Sequence, residues 1–299
     1  MQRVHRDKFI LAMSSENEPV LFTPSGSTLL FETSDCFSNK IKGENQLFSS
    51  VGWDSINPAT GPVYIEGAKP NDILKVEILD IAVAEKGVMT TAPDFGVFGD
   101  IVDKEFTKIV PIREGMAIFN DRIQIPVNPM IGVLGVAPAG EEVLTGTPGE
   151  HGANMDCKRL IEGSSLYLPV NVPGALLAMG DLHAVQADGE VVVCGVEIAG
   201  EVTVRVTILK DTVLPVPMLN EGDSIMTICS AELLDDAAKA ATKNMHQFLM
   251  ANLDMDLHEA GMVLSLLGNL KICQVVDPLM TARMEFPKWV LDKYDYTMP

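Results

Sequence analysis

The sequence has few basic residues. Lys and Arg total 22 against 41 Asp and Glu in 299 residues, which gives a formal net charge of −19 and a pI near 4.5. A field of this sign repels phosphate backbones and anionic lipid headgroups. We therefore expect neither nucleic acid nor a membrane as a partner. Hydrophobic residues still make up 47% of the chain, which excludes a disordered protein and predicts an ordinary apolar core.

Cysteine is scarce and is not arranged in pairs. The five cysteines are far apart in the sequence and form no CxxC motif. An odd number at such spacings argues against a disulfide framework and against a cysteine zinc cluster. We expect buried free thiols at Cys36, Cys157, Cys194, Cys229 and Cys273.

Segments typical of secretion or membrane insertion are also missing. The apolar run at 9–13 is shorter than the core of a secretory signal, and we therefore expect a cytoplasmic protein. Two uncharged stretches, 123–140 and 163–180, reach the length of a membrane helix. Prolines interrupt both of them, so we interpret them as buried strands and turns.

No segment before residue 230 shows a convincing helical period, which disfavours a βαβ arrangement and the dinucleotide folds built from it. Short apolar runs separated by Gly, Pro, Asn and Asp predict instead a mainly β fold of sandwich or barrel-like modules. The alternating segment 201–209 is the clearest strand. The other predicted strands cover residues 28–33, 63–66, 74–82, 117–119 and 191–209.

Two related β modules are suggested by a weak internal repeat. Residues 62–68 and 169–175 share the pattern P-V-x-[I/V]-x-G-A. Chance and a structural duplication are equally compatible with a repeat this short. We divide the chain provisionally at residue 140, into modules 1–140 and 141–299.

The composition changes near the C-terminus, where a helical hairpin is predicted. Residues 231–251 are rich in Ala, Leu, Lys and Met and place their apolar side chains on one stripe. Asp256 and Glu259 match a capping box that begins a second helix over 257–267. Gly268 suits the end of that helix.

Several familiar catalytic motifs fail. His258 and Glu259 resemble the start of HExxH, but Met262 stands where the second imidazole is required. Gly163-Ser164-Ser165 resembles the nucleophile loop of serine amidases, but a lysine partner is not evident. The patterns GxxxxGK[ST] and GxSxG do not occur.

The densest polar cluster in an apolar region is 180–190. On an extended strand, Asp181 and His183 project to the same side, where they could bind one metal ion or one substrate. A carboxylate and an imidazole are suitable zinc ligands. The alternative is structural, with Asp181 in a turn and His183 hydrogen-bonded in the core.

A second polar cluster lies at 149–156 and contains Asn154 and Asp156. It has no apolar periodicity, and apolar strands flank it, so we interpret it as a loop that forms part of a site. Asp35 and Glu66 are acids next to or within apolar strands, which is costly unless they are paired or bound to a metal. For each acid alone, an exposed strand end is the alternative.

Five segments together resemble the acetamidase/formamidase family, over nearly the whole chain. They are NPATGPVYIEGA (57–68), NPMIGVLGVAP (128–138), HGANMD (151–156), LPVNVPGA (168–175) and GDLH with the following GE (180–183 and 189–190). The resemblance implies hydrolysis of small carboxamides such as formamide or acetamide to the acid and ammonia. It also implies a mainly β fold that forms homodimers or larger assemblies.

Two positions depart from the family pattern. Ala153 stands where a second Gly is expected, and Gln186-Ala187 replaces a Met-Gly or Gln-Gly pair. Both changes should restrict the backbone slightly. Neither removes a polar residue of the predicted site.

The spacing and the resemblance lead to a metal hypothesis. Asp35 and His183 are the leading ligands of a zinc-like ion, with Asp181 or Glu66 completing the set. A divalent ion activates water and polarises the carbonyl.

Proton transfer would then fall to Glu190 or Glu66, and Asn154 and Asp156 would hold the amide or orient a ligand. Acyl transfer to hydroxylamine would follow if the acyl group stayed at the site, and a second, calcium-like ion is possible. The alternatives are a lactam hydrolase and a non-catalytic β protein that binds a cation or a small amide.

Overall fold

The computed structural model describes residues 1–299, except for the side chain of Trp53. Strands dominate the fold, and the α-helices all lie after residue 230, as predicted. Short 3-10 helices occupy Phe48–Ser50 and Trp53–Ser55.

The strands are β1 (Gln2–Val4), β2 (Phe9–Ile10), β3 (Ala12–Met13), β4 (Leu21–Pro24), β5 (Thr28–Thr33), β6 (Ala59–Glu66), β7 (Ile73–Val83), β8 (Lys86–Thr91), β9 (Phe106–Arg113), β10 (Met116–Ile118), β11 (Gln124–Pro126), β12 (Met130–Gly135), β13 (Val143–Leu144), β14 (Gly152–Asn154), β15 (Ser165–Pro169), β16 (Leu177–His183), β17 (Glu197–Ile198), β18 (Gly200–Leu209), β19 (Met218–Glu221), β20 (Ser224–Ala231), β21 (Asn269–Gln274) and β22 (Met280–Pro287). The helices are α1 (Leu234–Asn252), α2 (Leu257–Leu267) and α3 (Lys288–Lys293).

Two large sheets pack around one core. The first has nine strands in the order β1-β5-β18-β7-β15-β19-β20-β22-β21. The second has eleven strands, with β11-β10-β9-β8-β17-β16-β12-β14 in a row and β6 joining β16 to β2 and β4. Buried side chains from both sheets, such as Phe31 and Val204 from the first and Leu134 and Met179 from the second, belong to one hydrophobic cluster. This arrangement is a sandwich, in which the inner faces of two sheets share a core.

Both sheets combine strands from before and after residue 140. The predicted division at that residue is therefore not a division between sheets. The two segments of the internal repeat lie side by side and are joined by two backbone hydrogen bonds. The Ile65 amide donates to the Gly174 carbonyl, and the Gly174 amide donates to the Ala68 carbonyl.

The helical hairpin covers the nine-stranded sheet. Apolar residues of α1, including Met245 and Phe248, pack with Ile225 of β20 and Phe286 of β22 in a second cluster. The Asp256 side chain accepts hydrogen bonds from two backbone amides at the start of α2, which is the predicted cap. Of the described residues, no helix combines the length and the apolar character that a membrane span requires.

The predicted strand 191–209 is wrong in its first part. Residues 191–196 form turns and irregular structure, and the long strand β18 begins only at Gly200.

The five cysteines are free, and four of them are buried, while Cys229 is half-buried. The expectation of free thiols is therefore confirmed.

Candidate active site

The candidate site is built on β16, a fully buried strand inside the eleven-stranded sheet. All seven of its residues are buried, and it pairs with β12, β6 and β17. Its last residues carry Asp181 and His183 into the interior. The turn after β14 supplies Asp156, the loop after β16 supplies Glu190, and β17 supplies Glu197.

Four carboxyl groups surround the imidazole of His183. Its Nε2 lies 3.0 Å from Glu197 Oε1, 3.5 Å from Asp181 Oδ1 and 3.9 Å from Asp156 Oδ1. Its Nδ1 lies 3.9 Å from Glu190 Oε1. Asp181 and His183 therefore meet, as the spacing predicts, although the left-handed φ of 56° at Asp181 departs from the extended strand on which that prediction depends. We call these five residues the acid–imidazole cluster.

The orientation of the imidazole is fixed by Gln186. The Gln186 Nε2 donates to the backbone carbonyl of Asp156 at 2.9 Å, and the Oε1 lies 2.6 Å from His183 Nδ1. Because a carbonyl can only accept, the amide nitrogen faces Asp156 and the amide oxygen faces the ring. Nδ1 therefore carries a proton, and Nε2 is the ring nitrogen that faces the carboxylates.

Burial dominates the electrostatics of the cluster. It raises the pKa of Asp156 and of Glu190 well above the ordinary carboxyl range, and neighbouring carboxylates add to both shifts. Burial also raises the pKa of Glu197 to about 7, against the opposing effect of His183. Burial alone would lower the pKa of His183, but the charges of Glu197 and Asp181 outweigh it and raise that pKa well above its usual value.

Glycine makes the close approach of these groups possible. A Cβ at Gly132 of β12 would lie 2.5 Å from Asp156 Oδ1 and 2.6 Å from Asp181 Oδ2. A Cβ at Gly195 would lie 2.8 Å from His183 Nδ1. The two glycines therefore provide the space in which the carboxylates and the imidazole meet.

Several residues of the site have left-handed backbone. Asp156, Asp181 and Glu190 have φ values of 46°, 56° and 48°. Ala153, at the position where the family pattern has glycine, has φ 64°. Residues other than glycine avoid this region, and such strain concentrates at functional sites.

Beside the cluster, Asn154 binds the carboxylate of Asp277. The Asn154 Nδ2 donates to Asp277 Oδ2 at 3.0 Å. Asp277 is partly exposed as a residue, yet its carboxyl group points inward, and burial raises its pKa well above the usual range, with the charge of Glu190 adding to the shift. The Asn154 Oδ1 is buried without a hydrogen-bond partner.

The cluster forms the polar end of a cavity of about 520 Å³. Asn154, Asp277 and all five residues of the acid–imidazole cluster line it. Cys36 also lines this end. The site is thus open to a small ligand although its side chains are buried.

Two of the predicted site residues do not line the cavity. Asp35 is buried, and its carboxylate accepts a hydrogen bond from the Asn39 amide at 2.6 Å within a local turn. Burial raises the pKa of Asp35 and the charge of Asp181 acts in the same direction, so Asp35 lies within electrostatic range of the cluster. Glu66 is exposed at the end of β6. The structure brings Asn154, Asp156, Asp181, His183 and Glu190 together at the cavity.

Sequence reasoning missed four residues of the site. Glu197 is an acid inside an apolar run, the same signal that directed attention to Glu66, but the run was interpreted as one continuous strand. Cys36 follows Asp35 directly and was considered only as a buried thiol. Asp277 before Pro278 belongs to no motif that points to a site, and Gln186 stands out in the sequence only as a departure from the family pattern.

The residues of the cluster fit a divalent cation. Asp156, His183 and Glu190 each offer a ligand atom within 4.8 Å of the others, and so do Cys36, Asp181 and Glu197.

Oxygens of all four cluster carboxyl groups are buried without a hydrogen-bond partner, which is costly for charged groups. Among the described residues, no Lys or Arg lines the cavity to compensate this charge. The unpartnered oxygens are Asp156 Oδ1, Asp181 Oδ1, Glu190 Oε2 and Glu197 Oε2.

Comparison with known proteins agrees with the motifs. The model of the Acetamidase/Formamidase family matches residues 16–146 and 139–229. The crystal structure of an acetamidase from Bacillus halodurans is 46% identical, with a TM-score of 0.97, and the match covers 98% of this chain and 100% of that one. A recombinant predicted acetamidase/formamidase from Thermoanaerobacter tengcongensis is 44% identical, with a TM-score of 0.97 and 99% of both chains covered.

A putative formamidase of Schizosaccharomyces pombe is 29% identical over 258 residues. The match covers 64% of this chain and 62% of the length of that relative. The family match and the structural likeness, in contrast, extend over most of the fold and include the strands that carry the cluster. The chain therefore belongs to the Acetamidase/Formamidase family.

Proposed function

We propose that this chain hydrolyses small neutral carboxamides to the carboxylic acid and ammonia. The proposal depends on one observation, the acid–imidazole cluster at the end of a cavity, in a chain that belongs to this family. The similar proteins from Bacillus halodurans and Schizosaccharomyces pombe are named acetamidase and formamidase. A neutral substrate also suits a chain with a net charge of −19, because its approach does not depend on the field.

Asp156, His183 and Glu190 would hold a divalent ion, for which zinc is the best candidate because it accepts both nitrogen and oxygen ligands. When bound, such an ion polarises the amide carbonyl and lowers the pKa of water to about 7. Cys36, Asp181 and Glu197 form a second possible set. Its thiol favours a softer ion than calcium, which prefers oxygen ligands.

Asn154 would bind the substrate, and Glu190, besides offering one oxygen to the ion, would move the proton with its other oxygen. The free Oδ1 of Asn154 can accept a hydrogen bond from the substrate N–H, since its Nδ2 is held by Asp277. The unpartnered Oε2 of Glu190 can take a proton from the attacking water and return it to the leaving nitrogen. Departure as ammonia makes C–N cleavage possible, because an unprotonated amide anion is a very poor leaving group.

The test measures metal content and ammonia release together. We expect the purified protein to contain a divalent metal and to release ammonia from formamide or acetamide, and we expect His183→Ala to lose both. The control is His258→Ala, since His258 is exposed on α2 and far from the cavity lining. Retention of metal and activity by His183→Ala would refute the metal proposal. Metal without ammonia from any amide would favour the non-catalytic binding protein.

Other features of the proposal remain predictions. Acyl transfer to hydroxylamine predicts a hydroxamic acid product, and a lactam panel tests the alternative substrate class. Homodimer formation and a cytoplasmic location are likewise proposed, and sedimentation velocity and cell fractionation test them.

A further inference from the structure

The cavity is much larger than formamide or acetamide requires. Its volume of about 520 Å³ falls in the range of about 300–1,000 Å³ in which proteins enclose drug-sized ligands. The acid–imidazole cluster forms only part of its lining. The remaining space needs an explanation in terms of the substrate.

Part of the cavity wall is apolar and aromatic. Three phenylalanines from three separate segments line it: Phe37 after β5, Phe48 in a 3-10 helix and Phe95 after β8. The ring centroids of Phe37 and Phe48 are 6.2 Å apart, those of Phe48 and Phe95 are 5.4 Å apart, and both pairs have edge-to-face geometry. Such pairs form a defined apolar surface on which a flat or branched hydrocarbon group can pack.

The charged side chains that line the cavity outside the cluster are acidic. Asp54 and Asp94 line the cavity and are exposed. Among the described residues that line it, His183 is the sole basic side chain, and it belongs to the cluster. Lys40 lies near Asp54, because both contact the Ser55 hydroxyl, but Lys40 does not line the cavity. The lining groups would therefore repel an acyl chain that ends in a carboxylate, whereas a hydrocarbon chain would gain by leaving water.

We propose that the apolar part of the cavity is an acyl-chain site, so that the preferred substrates are monocarboxamides with an uncharged aliphatic or aromatic acyl group rather than formamide or acetamide. This inference rests on the proposed function, because the carboxamide must reach the acid–imidazole cluster. We call Phe37, Phe48 and Phe95 the aromatic wall. The aromatic wall then selects the substrate by the apolar area that the substrate buries against it.

The experiment compares kcat/KM along a series of amides with the full-length, metal-loaded protein. Each buried methylene contributes about 0.8 kcal/mol, which is about fourfold in rate. From acetamide to pentanamide, which adds three methylenes, we expect kcat/KM to rise roughly 60-fold. Phenylacetamide should also be much better than acetamide, and succinamate, which resembles pentanamide in length but carries a carboxylate, should be at least about tenfold worse than pentanamide.

Phe48→Ala tests the aromatic wall directly. We expect the ratio of kcat/KM for phenylacetamide to that for acetamide to fall about tenfold. Both rates depend equally on the amount of folded enzyme, so the ratio is insensitive to partial misfolding. Phe106→Ala is the matched control, because Phe106 is exposed on β9 and does not line the cavity. Its ratio should equal that of the wild type.

The outcomes separate this proposal from the one on which it depends. If acetamide is hydrolysed as efficiently as pentanamide and phenylacetamide, amide hydrolysis stands and the acyl-chain site is refuted. An unchanged ratio in a folded Phe48→Ala variant also refutes the role of the aromatic wall. If no amide of any length yields ammonia, the proposed function fails and the acyl-chain site fails with it.

Discussion

Replacing Gln186 by Leu tests whether this amide orients the imidazole of the site. The substitution removes the 2.6 Å contact with His183 Nδ1 and the 2.9 Å hydrogen bond to the Asp156 carbonyl, at nearly constant volume. Each hydrogen bond contributes about 0.5–1.5 kcal/mol, so the free energy of unfolding should fall by about 1–3 kcal/mol. Partners that orient a metal-binding histidine are worth about 10–100-fold in metal affinity. This corresponds to about 1.4–2.7 kcal/mol of metal-binding free energy, which is measured separately from the free energy of unfolding.

Zinc affinity is measured by competition with a chromophoric chelator, and stability by urea unfolding. Gln124→Leu is the control, because Gln124 is exposed on β11. Gln186→Glu keeps an oxygen facing the ring but loses the donor to the carbonyl, so its affinity for zinc should lie above that of Gln186→Leu. The reasoning is refuted if folded Gln186→Leu binds zinc within about twofold of the wild type.

Two further predictions follow from burial. Gly132→Ala places a methyl group 2.5 Å from Asp156 Oδ1, so we expect this variant to lose metal binding, as measured by elemental analysis. Gly140→Ala is the control, because a methyl group there meets nothing within 4 Å, and this variant should bind metal normally. Burial raises the pKa of Tyr167, whose hydroxyl donates to the Pro299 carbonyl, to about 12. The unfolded value is about 10, so the folded state holds this proton more tightly, and its contribution to stability is present below pH 10 and lost as the pH rises through 12. Urea unfolding should show this fall in the wild type, and Tyr167→Phe should lack this component; equal pH profiles would contradict the assignment.

Local patterns predicted the fold more accurately than they predicted the site. The alternation at 201–209 and the cap at Asp256 are decided within a few residues, and both elements appear where they were predicted. The short strands β1 to β4 have only two to four residues, which is too few to show a clear alternation, and they exist because tertiary pairing holds them. Helix α3, with six residues, is also too short to show a period.

The site was predictable only where its residues are close in sequence. Asp181 and His183 are two residues apart on one strand, so their meeting could be expected from local spacing. Asp35 and Glu197 show the limit of this reasoning. Both are buried acids beside apolar residues, but only Glu197 lines the cavity, because β17 pairs with β16, whereas the carboxylate of Asp35 accepts a hydrogen bond within its own turn. Such pairing between distant segments leaves no local trace in one sequence.

The mixed composition of the two sheets has a consequence for synthesis on the ribosome. β5 gains its antiparallel neighbour β18 only after residue 209 has been made, and Asp277 comes later still. At about 5–20 residues per second, the interval between residue 33 and residue 209 lasts roughly 9–35 seconds. During this time a strand rich in Leu and Phe has an unpaired edge, which favours aggregation. Rapid pairing of β18 with β5 therefore limits the exposure of this edge, and Asp277 joins the cavity beside the acid–imidazole cluster only after both strands have been made.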